Sequence, residues 1–153
     1  MKPLNAGEVP DADSLKRLVR AHFRVGWLGL LVFATLGTAL EALHAWKSGD
    51  YLAVGNETRR LMWTLAHAHG AGLSLVQIAF AATAALCPEI RAAVLVRASR
   101  LLHCAFALIP SGFLLGGIAT YGADPGLGVL LVPLGALALL VGITVLSWEL
   151  WRH

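Results

Sequence analysis

The residues of this sequence best placed to do chemistry are five ionisable side chains set inside or at the edges of long apolar runs: Glu41, His44, His67, His69 and His103. Each costs roughly 2.5–3.5 kcal/mol near the centre of a bilayer, so each needs a partner or a purpose. The densest stretch is Trp63-Thr-Leu-Ala-His67-Ala-His69-Gly70. Two positions apart, His67 and His69 point to nearly opposite sides of a helix, which disfavours a joint grip on one metal. A longer pattern runs along one helical face at i, i+4, i+7, i+11 and i+14: Trp63, His67, Gly70, Ser74 and Gln77. A stripe of polar and small residues on an otherwise apolar helix faces protein rather than lipid. It serves either as hydrogen-bonding glue between helices or as the lining of a site. A buried neutral imidazole at 67 suits haem iron or another transition metal, and it can also relay protons.

Glu41 and His44 form Glu-x-x-His, a spacing that turns both side chains the same way and supplies ligands in di-iron carboxylate bundles. Such a site needs a second pair and two further carboxylates, and neither is present. The pair is therefore read as a metal ligand set with His67, or as an interfacial Glu41 balanced by Lys47, Arg59 or Arg60. Helix register supports the first reading. Glu41 lies five residues from one end of its run, and His67 lies six residues into the next, so antiparallel helices bring them to similar depth. His69 is read as structural and His103 as capping or interfacial. Cys87 and Cys104 are read as unpaired thiols, with no zinc-like spacing. No C-x-x-C-H, hydrolase, kinase or dinucleotide motif occurs.

These positions require an apolar scaffold, and the composition supplies one. Of 153 residues, 58% are hydrophobic and only 14% charged, against about 25% charged in soluble domains. The chain cannot hide that much apolar surface by itself, so lipid is part of its solvent. Four apolar runs of about 20 residues or more cover 25–46, 61–86, 101–121 and 127–146, each enough to cross a ~30 Å hydrocarbon core. The reading is an all-α membrane protein, a four-transmembrane-helix bundle over 25–153. A polar segment, 1–24, precedes it and contains a short amphipathic helix capped by Asp11 or Asp13. It is no signal peptide. Nine Lys and Arg fall on one side (Lys2, Lys16, Arg17, Arg20, Arg24, Arg91, Arg97, Arg100, Arg152) and three on the other (Lys47, Arg59, Arg60). The side with nine is expected to be cytoplasmic, with both termini there and the plasma (inner) membrane as host. The net charge of +3 is thus a membrane signature, and no nucleic-acid partner is expected. Pro110 and Pro133 are expected to interrupt the third and fourth helices, and Gly112 with Gly116 to allow close helix contact.

Trp63-Thr-Leu-Ala66-His67, followed by Gly70 and a long apolar stretch, resembles the second helix of styrene oxide isomerase, and the related hydroxylaminobenzene mutases have a similar Ala-His-x-Gly element. Arg100-Leu101-Leu102 and Leu131-Val132-Pro133 extend the likeness loosely over about the last two thirds of the chain. Those are small four-helix membrane enzymes. The resemblance implies a homo-oligomer, a trimer, that binds haem b between protomers with His67 as axial ligand. It also implies an iron acting as Lewis acid on a small apolar substrate. The match departs where substrate would be steered. The amide six residues after the histidine becomes Leu73, with Ser74 adjacent, and the acidic and tyrosine positions of the third helix become Ile109 and Gly117. Fold and haem ligation therefore follow from the resemblance more directly than epoxide chemistry does. Two other readings stand beside it. One is a non-enzymatic membrane subunit or small carrier whose stripe serves helix packing. The other is a proton or metal-ion pathway through Glu41, His44 and His67.

Overall fold

The computed structural model describes residues 11–152; the polar residues 1–10, with Lys2, lie outside them. The described residues are all-helical, with no strand, and four helices are long and apolar enough to cross a membrane. They are α1 (Ala12–Ala45), α3 (Glu57–Leu86), α4 (Ala92–Ile118) and α5 (Leu131–Leu150), with a single-turn helix α2 (Gly49–Leu52) between α1 and α3. Short 3-10 turns at Val54–Asn56 and Leu127–Leu130 lead into α3 and α5.

The amphipathic lead-in and the first span are one continuous helix of 34 residues. Asp11 starts it: Oδ1 accepts from the backbone N–H groups of Ser14 (2.9 Å) and Asp13 (3.1 Å). The Ser14 amide is also the main reason the Asp11 carboxyl is held below the usual carboxylate range. At ~1.5 Å per residue, α1 is about 50 Å long, so its first turns stand beyond a ~30 Å hydrocarbon core. It ends where Lys47 takes a left-handed conformation (φ 50°) and Ser48 N–H closes on the Leu43 carbonyl.

Glycine sets how the helices meet. The buried face of α1 is His22, Gly26, Gly29, Phe33, Gly37 and Leu40, one stripe of a 3.6-residue period. α3 runs antiparallel along it. A methyl group on Gly26 would lie 2.6 Å from Ile78 Cγ1, and one on Gly29 would collide with Ser74 Oγ and the Phe106 ring. The Phe33 ring fills the notch at Gly70 and meets Phe106 edge-on at 6.1 Å. α4 packs antiparallel on α3 around Ala66, Leu73, Ala105 and Ile109 at one level and Phe80, Ala84, Leu95 and Leu102 at another. α5 packs chiefly on α4, through Gly112, Gly128, Gly135 and Gly142. Its leucines 134, 137 and 140 are exposed.

Pro110 lies inside α4 and removes the bond that would close on the Phe106 carbonyl. Pro133 falls in the first turn of α5 rather than in its interior, where an N–H has little use. The α4–α5 pair is also stapled by charge. Glu149, 1% exposed, takes the Arg91 guanidinium in a two-pronged bond (Nε–Oε1 2.7 Å, Nη2–Oε2 2.5 Å) and also accepts the Arg91 backbone N–H at 3.3 Å. The carboxylate holds the guanidinium more firmly protonated than usual. Arg91→Ala is expected to lower stability by about 2 kcal/mol, and by more than Glu149→Gln, because it strips the cation from a desolvated carboxylate. Thermal unfolding of the detergent-solubilised variants measures this; equal losses would contradict it.

The antiparallel succession gathers Lys16, Arg17, Arg20, Arg24, Arg91, Arg97, Arg100 and Arg152 at one end, and Lys47, Arg59 and Arg60 at the other.

Candidate functional site

His67 differs from His44, His69 and His103 in what it bonds. His44, His69 and His103 each donate Nδ1–H to the carbonyl one turn back on their own helix: Leu40 (3.1 Å), Leu65 (2.9 Å) and Ser99 (2.8 Å). His67 Nδ1 instead crosses to α1 and meets the Phe33 carbonyl at 2.7 Å. A carbonyl can only accept, so Nδ1 carries a proton, and a lone pair for a metal can then lie only on Nε2. Gly37 makes room for this. A methyl group there would lie 2.7 Å from His67 Nε2 and nearer still to Nδ1 and Cε1. The imidazole is half-buried, with exposed Thr64 and Ala68 to either side.

The rest of the stripe is distributed. Gly70, Ser74 and Gln77 are buried, and each faces a different part of α1. Gly70 receives Phe33. Ser74 lies against Gly29 and donates to the Gly70 carbonyl at 2.7 Å. Gln77 reaches His22. Trp63 turns to α4, its indole edge against Gly117 and Arg59 above its ring at 6.0 Å. Of these five side chains only His67 has a ring nitrogen, Nε2, beyond the one engaged with α1.

Glu41 and His44 are exposed at the far end of α1. His44 packs edge-on against Tyr51, ring centroids 5.0 Å apart. Burial pushes the Tyr51 hydroxyl's pKa up; the Arg60 charge opposes this and the Glu41 charge adds to it. Arg60 donates to the Tyr51 and Ala53 carbonyls and pairs with Glu57 at 3.9 Å, while Arg59 donates to the Gly117 carbonyl. Among the described residues no hydrogen bond or ion pair joins Glu41 to His67, Arg59 or Arg60. No group of three His, Cys, Asp or Glu there could enclose a metal ion.

A second polar cluster lies at the cation-rich end. His22, fully buried, has Nδ1 in a short hydrogen bond to Gln77 Oε1 and Nε2 2.8 Å from Ser99 Oγ. Gln77 Nε2 donates to the Leu102 carbonyl at 3.1 Å. That bond orients the amide, so Oε1 accepts from His22 Nδ1–H, and Nε2 accepts from the Ser99 hydroxyl. Both ring nitrogens of His22 are thus engaged. The His103 ring lies tilted against His22 with centroids 4.2 Å apart, and the Phe80 ring does so at 4.4 Å. Three helices thus meet at one hydrogen-bonded ring. Sequence reasoning passed over His22 because Arg20 and Arg24 flank it and mark a headgroup zone. Its spacing to Gly26, Gly29 and Phe33 was the available signal. Glu149 was passed over in the same way, beside Trp148 and Trp151.

The chain matches no protein family, no curated protein and no solved structure.

Proposed function

We propose that this is a membrane enzyme of the haem b-dependent isomerase type, in which His67 would hold the haem iron. The bond from His67 Nδ1–H to the Phe33 carbonyl carries the reading. Metal-bound histidines characteristically donate their other ring N–H to such an acceptor, which fixes the tautomer and raises the basicity of the ligating nitrogen. His67 meets that requirement, and its helix packing leaves Nε2 over. Bound there, the haem would supply a Lewis-acid position able to polarise an oxygen on a small apolar substrate. The chain's own part is to hold the ring between Gly37 and Phe33 and to keep its proton on Nδ1. The half-buried placement of His67 favours a cofactor enclosed by a second copy, hence a homo-oligomer. The basic end, with eight of the described cations, favours a cytoplasmic position for both termini in the plasma membrane.

Protein produced with ample haem and purified in detergent is expected to show a Soret band with about one haem per chain. His67→Ala should abolish it without changing helix content. A colourless wild-type protein would overturn the reading.

A second reading has its own support. Gly70, Ser74 and Gln77 are used in α1–α3 contact, as in a non-enzymatic subunit or small carrier whose stripe serves packing. It expects His67→Ala to weaken assembly while the absorbance stays unchanged.

A further inference from the structure

The amino-terminal third of α1 carries two adjacent rows of side chains. Lys16, Arg20 and Arg24 form one; Leu15, Val19 and Phe23 form the other. Each repeats every four residues, so each makes a continuous ridge about 12 Å long. A groove of about 500 Å³ runs between these rows and Ala85 near the end of α3; ligand pockets hold roughly 300–1,000 Å³. Its apolar floor is rooted in the protein, since Leu15 and Val19 pack against the core around Phe80, Ala84 and Leu95. Its rim is cationic and bears no carboxylate. Between Asp13 and Glu41 the helix has no acidic residue at all, and none of the three cations enters an ion pair among the described residues.

We propose that this groove binds one anionic phospholipid. Its phosphate sits among Lys16, Arg20 and Arg24, and an acyl chain lies along Leu15, Val19, Phe23 and Ala85. Charge complementarity selects the occupant. Cations without counter-charges take an anion, and an apolar floor beside them takes a chain attached to it. A zwitterionic lipid brings its own cation to the same rim and gains less. A soluble phosphate leaves the floor empty.

Delipidated full-length protein in neutral detergent is titrated with phosphatidylglycerol, with phosphatidylcholine of the same chains and with glycerol phosphate, binding being counted by native mass spectrometry. Phosphatidylglycerol is expected to saturate at one tight site per chain that weakens with salt, while the other two bind far more weakly. The triple variant Lys16→Gln/Arg20→Gln/Arg24→Gln should lose roughly a hundredfold in affinity. Arg97→Gln/Arg100→Gln/Arg152→Gln, at the same end of the molecule, should keep it. Ala85→Trp fills the groove without touching a charge and should lose the site as well, which covers the case of a triple variant that fails to fold. Equal affinity for phosphatidylcholine, or equal loss in the two triple variants, would overturn the proposal. So would a site that opens only after residues 2–10 are deleted, since the occupant would then be the chain's own amino terminus.

Discussion

His22→Leu is expected to destabilise the protein by about 3 kcal/mol. The imidazole is fully buried and both its nitrogens are engaged. Leucine fills much of the space but leaves Gln77 Oε1 and Ser99 Oγ without their partner, and each stranded buried group costs about 1–3 kcal/mol. Ser99 can recover part of this by turning to the carbonyl one turn back on its own helix. The glutamine cannot, because its amide nitrogen is already fixed on the Leu102 carbonyl. The double variant His22→Leu/Gln77→Leu removes donor and acceptor together. Replacing both partners by apolar groups is close to neutral, so it should be more stable than the His22→Leu single variant, with a coupling of about 1–2 kcal/mol. Thermal unfolding in detergent, followed by a tertiary signal such as tryptophan fluorescence, gives all four corners of the cycle. Additive losses would show that the two side chains do not depend on each other.

Gly37→Ala is expected to act almost as strongly, and on the proposed cofactor more than on the fold. The new methyl group would fall within the His67 ring, which must swing away and give up the Phe33 carbonyl. Crowding of this kind costs about 1–3 kcal/mol. A haem held by His67 should be retained at least about tenfold less well, because second-sphere hydrogen bonds to metal ligands are worth 10–100-fold in affinity. Gly72→Ala is the matched control: a methyl group there meets open space. Haem-to-protein ratios after gel filtration decide the matter. Equal retention in the two variants would mean that the Phe33 bond does not prepare the ligand.

The four spans were legible because their signal is redundant. Twenty apolar residues in a row admit one physical solution, and the positions of Lys and Arg follow the same boundaries. Helix ends were less legible. The sequence marks where lipid begins, while a helix continues through the headgroups as long as its own bonds are met, so α1 starts at Ala12 and α4 at Ala92. Within the candidate site, the stripe through Gly70, Ser74 and Gln77 indicated which face of α3 meets protein. It did not indicate what lies opposite. That depended on the register of α1, and register is set by the glycine notches at 26, 29 and 37, which a single-helix reading does not pair with anything. His22 and Glu149 escaped notice for a related reason. A polar residue beside interface aromatics or cations is ordinary on its own, and only the neighbouring helix reveals it as enclosed.

The unequal burial of the four spans bears on how the chain enters a membrane. α5 is the most apolar of them and the least covered by protein. Apart from Glu149, it brings no charged side chain whose partner lies elsewhere. It can partition into lipid as an independent stretch and dock afterwards. α1 and α3 each carry half of a bond that neither can complete alone, His22 to Gln77 and Phe33 to His67. Their polar side chains cost less in the bilayer once the two helices lie together as a hairpin than when each lies alone.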